Sequence, residues 1–177
     1  NHEPFHFDER WPFDNDQQVD DLGLFGTYGV DYVLSGHTHY KSAMAIDGVQ
    51  HFTAGALSGM RWVLPASIHE RGYRLFQGVG DELYSLWKPT GKRSIGLAEP
   101  QPADSPFMII AAVDSQGPFK EVSFFSGEKA LPVNALSDYF FEISNVDSLP
   151  REIKIVARAV DDSVTEMMID LSGQISE

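Results

Sequence analysis

The sequence contains no cysteine, which excludes both a disulfide framework and a thiolate metal site. It is also short of basic side chains. Thirteen Lys and Arg stand against 26 Asp and Glu, giving a net charge of −13 and a pI near 4.7. A general nucleic-acid binder needs a basic face for phosphate contacts, so that class is disfavoured, and anionic membranes are disfavoured on the same ground. No apolar run approaches the roughly 18 residues of a membrane span. Nor is there an internal repeat. What remains is an ordinary globular composition, 42% hydrophobic and 12% aromatic over 177 residues, enough for one large domain or two small ones, each with a core.

Apolar spacing divides the chain into blocks. Val19, Leu22 and Phe25 recur at helical intervals behind the capping candidates Asp14 to Asp16, which predicts a helix over 14–29 that Gly29 terminates. Gly23 and Gly26 weaken that helix by about 1 kcal/mol each relative to Ala. The run Val30 to Gly36 reads as a short buried strand. Two hairpins follow, one turning at Asp47-Gly48 and one at Gly78 to Asp81, each joining β-rich segments. Residues 93–105 are rich in proline and poor in large apolar side chains, as a linker is. Beyond them, about six short alternating runs predict a small β-sandwich over 106–177.

Two of the six histidines, His37 and His39, lie one residue apart in Ser35-Gly36-His37-Thr38-His39, directly after the predicted strand. Packing does not explain two imidazoles on one tight turn. Two neutral nitrogen donors directed at one small volume suit a divalent transition metal, Zn, Mn or Fe, better than Ca or Mg. His2 precedes the restrained Glu3-Pro4 pair and is a candidate third ligand. His6 reads as a rim or packing residue, His51 as a sheet-face residue and His69 as solvated. Arg61 and Trp62 are candidate substrate contacts, since a guanidinium suits phosphate oxygens. Asp161-Asp162 reads as a turn between strands.

The Ser-Gly-His-Thr-His segment resembles the closing Gly-His-x-His motif of the calcineurin-like metallophosphoesterases. Asn1-His2-Glu3-Pro4-Phe5 is similar to that superfamily's isolated histidine before a proline-containing loop. Residues 51–62 and 71–92 further resemble exported bacterial members in which an Ig-like domain follows the catalytic one. The resemblance implies two divalent metals sharing a bridging carboxylate, with His2 and His37 on one and His39 on the other. Such a pair clamps a phosphoryl oxygen and lowers the pKa of water for in-line displacement. The superfamily's Asp-x-His and Gly-Asp-x-x-Asp motifs have no counterpart here. Asn1-His2-Glu3 also matches part of the Gly-Asn-His motif, although few residues then separate it from Gly36.

These readings set the expectations. Residues 1–92 are expected to form an α/β metallophosphoesterase fragment, a mixed sheet with antiparallel hairpins. A linker over 93–105 and an Ig-like or fibronectin-like β-sandwich over 106–177 complete the chain. The implied activity is hydrolysis of a phosphomonoester or phosphodiester, in the periplasm or outside the cell. The missing N-terminal half of the same protein is the implied partner, so this chain by itself is expected to be inactive. The alternative is a non-catalytic binding or adhesion module that carries a vestigial metal loop.

Overall fold

The computed structural model describes residues 24–36, 41–54, 71–101, 108–144 and 150–171. The chain divides into two compact units, Asn1–Arg74 and Leu75–Glu177.

In the first unit, a helical turn over 24–27 leads into strand β1 (Tyr32–Ser35), followed by β2 (Ser42–Ile46) and β3 (Val49–Thr53). The turn ends in a Schellman motif. Val30 N–H donates to the Phe25 carbonyl at 2.9 Å and Gly29 N–H to the Gly26 carbonyl at 3.3 Å, with Gly29 at φ 66°. That left-handed conformation is one that glycine adopts without Cβ strain. Strands β2 and β3 are joined by Asp47-Gly48, both residues at positive φ (49° and 83°), in register from Ile46↔Val49 to Ser42↔Thr53. Two positive φ values are the mark of a type I′ turn, whose twist matches the strands that it joins. Strand β3 also pairs in parallel with β1, so it lies in the middle of a β1-β3-β2 sheet.

Strand β4 (Gly72–Val79) crosses the division, and from Leu75 onward it joins the second unit with β5 (Glu82–Pro89), β6 (Ser94–Leu97), β7 (Met108–Val113), β8 (Glu121–Ser126), β9 (Lys129–Ala130), β10 (Val133–Ala135), β11 (Phe140–Ile143), β12 (Glu152–Arg158) and β13 (Val164–Asp170). Two four-stranded sheets form, in the orders β10-β11-β7-β6 and β13-β12-β8-β9. Side chains from both sheets share one apolar cluster, as the two inner faces of a β-sandwich do. Strand β12 shows why the sheets close on each other. Ile153, Ile155 and Ala157 are fully buried, while Glu152, Lys154, Val156 and Arg158 alternate to the other face. The inward set packs with Met108, Ile110, Phe124 and Ile143 in one cluster. Each such aliphatic or aromatic side chain contributes about 1.5–3 kcal/mol.

Strand β7 is buried on both faces. Met108, Ile110 and Ala112 enter the sandwich core, whereas Ile109, Ala111 and Val113 join a second cluster with Tyr84, Leu86, Ala98 and Phe140. The β4–β5 hairpin therefore covers the outer side of the β7 sheet. Ser85 and Glu99 exchange both backbone bonds at 2.8 Å, and the Ser94 hydroxyl donates to the Trp87 carbonyl at 2.9 Å. A strand covered on both sides carries an unbroken apolar run, as Met-Ile-Ile-Ala-Ala-Val does.

Two expectations are corrected. The described residues are 60% strand and 3% helix, so they do not form an α/β metallophosphoesterase fragment. Past Gly36, the described apolar segments of the first unit pair through a tight hairpin turn, and no helical crossover separates them. Of the helix expected over 14–29, residues 14–23 lie outside the described set. Second, the described part of the expected linker is not a linker. Residues 94–97 pair antiparallel with β7 from Ser94↔Val113 to Leu97↔Ile110, and Ile95 and Ala98 are core residues. The division between units falls after Arg74, because Leu75, Val79, Tyr84 and Leu86 of the hairpin pack with the sandwich, whereas Arg74 lies over the Phe52 ring.

Candidate functional site

Strands β1 and β3 run in the same direction with Tyr32↔Gln50, Val33↔His51, Leu34↔Phe52 and Ser35↔Thr53 in register. Both strands thus end at one edge of the sheet. The backbone ladder extends one step past them, with Ala54 N–H donating to the Ser35 carbonyl at 2.8 Å. At that edge the hydroxyls of Ser35 and Thr53 share a hydrogen bond of 3.2 Å, both residues being buried. Gly36 and Ala54 leave the sheet from adjacent positions. The first leads into His37-Thr38-His39 and the second into the segment that carries Arg61 and Trp62.

His51 lies two residues before Thr53, on the same face of β3, and is fully buried. Its ring packs against Phe25 of the helical turn, 6.1 Å between centroids and tilted by 56°. Burial away from water disfavours the imidazolium and holds its pKa below the ordinary value of 6.5. His51 is therefore a neutral core residue, in keeping with the sheet-face position read from its sequence. Arg74 closes the unit. Its guanidinium donates to the Ser42 carbonyl at 3.2 Å and lies 5.5 Å from the centre of the buried Phe52 ring.

The metal candidates His2, His37 and His39 and the substrate candidates Arg61 and Trp62 all lie outside the described residues, as do His6 and His69. Among the described residues, no group of three or more His, Asp or Glu side chains could hold a metal ion. No helix among them is long and apolar enough to cross a membrane.

The sandwich unit has its own polar cluster, which the sequence reading missed. Arg93 Nε donates to Asp114 Oδ1 at 2.7 Å, and its terminal nitrogens donate to the hydroxyls of Thr165 and Ser163, each at 2.6 Å. Burial pushes the Asp114 carboxyl up, but the Arg93 bond, the Ser115 backbone N–H and the Arg93 charge together hold it below the usual carboxylate range. Nearby, Lys88 is 1% exposed. Its ammonium donates to the carbonyls of Pro89 and Lys92. Desolvation lowers its pKa, and the charge of Asp114 opposes that shift. Asp161-Asp162 sit in the turn between β12 and β13, where Asp162 (φ 63°) pairs with Lys120 at 2.8 Å. The only signal for this cluster in the sequence was basic residues beside apolar strands. That signal does not say which carboxylate they meet.

No family model, no curated protein and no solved structure matches the chain.

Proposed function

We propose that this chain contributes the Gly36-His37-Thr38-His39 loop, with His2, to a dinuclear metal site that hydrolyses a phosphomonoester or phosphodiester. The observation that carries the reading is the parallel register of β1 and β3, which starts the histidine segment and the Arg61-Trp62 segment side by side at one sheet edge. Residues on two adjacent connections that rise from a buried strand pair can converge on one ligand. The donor chemistry fits, because neutral imidazoles suit Zn, Mn or Fe. When bound, the metals supply Lewis-acid polarisation of a phosphoryl oxygen and lower the pKa of water. The chain's own part is to hold the imidazoles, with Arg61 offering a guanidinium to phosphate oxygens. The bridging carboxylate that the resemblance calls for has no counterpart in these motifs. Turnover then needs a segment that supplies it.

The test is calorimetric titration of the full chain with Zn²⁺ and Mn²⁺, repeated on the His37→Ala/His39→Ala double variant. Saturable binding that the double variant loses supports the reading. Equal binding by both proteins refutes it. In that event the β-sandwich of the second unit, an architecture common among recognition domains, makes a non-catalytic binding module the reading to pursue.

A further inference from the structure

We propose that β13 is a self-association edge, which pairs antiparallel with β13 of a second copy of this chain about a two-fold axis at Met167. The proposal is independent of the two-metal reading above. A sheet edge offers unpaired backbone donors and acceptors to any extended strand, and proteins blunt it with short strands, Lys, Pro or bulges. Three of the four outer strands of the sandwich are short: β9 has two residues, β10 three and β6 four. Strand β13 has seven, Val-Thr-Glu-Met-Met-Ile-Asp, without Lys, Pro or Gly. Among the described residues no strand pairs with its outer side. Three of its apolar side chains are exposed, Val164 at 48%, Met167 at 37% and Met168 at 57%.

Backbone geometry and charge together select the occupant. Leu171 N–H donates to the Arg151 carbonyl and Ala159 N–H to the Ser163 carbonyl. Bonded positions alternate along an antiparallel ladder, so Val164, Glu166, Met168 and Asp170 turn their backbone groups away from β12. Outward groups must meet outward groups, which places a two-fold axis on a residue of β13 and not between residues. An axis on Glu166 sets Glu166 against its own copy, and an axis on Met168 sets Glu166 against Asp170 twice. Like charges directly opposite each other are destabilising. With the axis on Met167, Glu166 faces Met168 and Val164 faces Asp170, and the whole strand overlaps. No carboxylates are then opposed, and Lys154 holds the Glu166 carboxylate from its own side at 2.8 Å. About eight backbone hydrogen bonds form in this register, a number usual for a protein interface. The two Met167 residues face each other at a non-bonded position, and the two Met168 side chains lie diagonally across the other face of the sheet. The strand is thus complementary to itself, as a two-fold contact requires.

The test is sedimentation velocity on the full chain across the micromolar range, joined to cross-linking through single cysteines. The wild type should pass from monomer to dimer as concentration rises. Met168→Pro removes an N–H that faces outward, so the β12 ladder keeps its bonds while the edge loses one bond from each copy. Association should weaken at least about 10-fold, with the melting temperature little changed. The chain has no cysteine of its own, so an introduced one can pair only with its copy. At a non-bonded position the Cα atoms lie about 4.5 Å apart, within the range that a disulfide spans. Met167→Cys should therefore give a covalent dimer under mild oxidation, whereas Val164→Cys, whose copies lie at opposite ends of the paired strands, should not. If Met168→Pro does not fold, the two cysteine variants decide the matter. A dimer that Met168→Pro leaves intact, or equal cross-linking of the two cysteine variants, overturns the proposal. So does a wild type that stays monomeric throughout, and an extended peptide of another protein then becomes the occupant to seek.

Discussion

Removing the β4–β5 hairpin should unfold the sandwich that follows it. A chain that starts at Arg71 keeps both faces of β7 covered, whereas one that starts at Gly91 keeps only the face toward β8 and β12. The hairpin shields Ile109, Val113 and Phe140, which are 0%, 1% and 1% exposed. At about 1.5–3 kcal/mol for each buried side chain, uncovering these three costs about 5–9 kcal/mol. That is an upper figure, because neighbours on the same sheet still shade part of each ring and branch. The backbone exchange between Ser85 and Glu99 is lost as well. Since a domain of this size has about 5–15 kcal/mol in total, the shorter chain should stand at or below the margin of folding. Urea unfolding followed by far-ultraviolet circular dichroism measures this directly, with a hydrophobic dye to report the bared face. The chain from Arg71 should unfold cooperatively without dye binding, and the chain from Gly91 should bind dye and lose its sharp transition. Matching midpoints and m-values for the two chains would show that the hairpin is no part of the core and would return the boundary to 93–105.

Two further outcomes are expected. His51 has its folded-state pKa depressed below 6.5 by burial, so the unfolded chain takes up the proton first. Its contribution to stability is then complete above about pH 6.5 and is lost as pH falls from there to the depressed value. Hydrogen exchange at the β1–β3 amides, compared between pH 7.5 and 5.5, should show this loss in the wild type and not in His51→Phe; an equal loss in both would remove His51 as its source. Arg93→Met should cost about 1–2 kcal/mol at pH 7, the worth of charge-assisted bonds discounted for the partial exposure of the guanidinium. In the wild type the depressed Asp114 pKa gives stability that is present above about pH 3.8 and lost as pH falls below it. With Arg93 gone, only the Ser115 backbone N–H still opposes burial and the Asp161 charge, so the Asp114 pKa rises relative to wild type and the variant should lie closest to wild type in acid. A deficit that stayed constant between pH 7 and pH 3.5 would sink the assigned pairing.

By itself the sequence determined the features that depend on neighbours along the chain. Asp47-Gly48 was legible as a hairpin turn because few residue pairs accept two positive φ values in succession, and both residues adopt them. Gly29 was legible as a helix stop for the same steric reason. The alternation in Glu-Ile-Lys-Ile-Val-Ala-Arg dictated a one-sided strand at β12, because successive side chains point to opposite faces. The tertiary structure decided the rest. Nothing in Met-Ile-Ile-Ala-Ala-Val says which elements cover its two faces, and nothing local to 72–89 says that this hairpin is one of them. Composition also hid β6, since Ser-Ile-Gly-Leu between a basic turn and a run of prolines has a linker's residue types. It is a strand because β7 offers it an open edge. The Ser35–Thr53 pair was beyond the sequence for the same reason: the two residues lie eighteen positions apart, and only the parallel register of β1 and β3 makes them neighbours. Local sterics act through adjacent residues and can be read from the chain. Burial and pairing depend on whichever apolar face or strand edge the rest of the chain leaves uncovered, which no short stretch records.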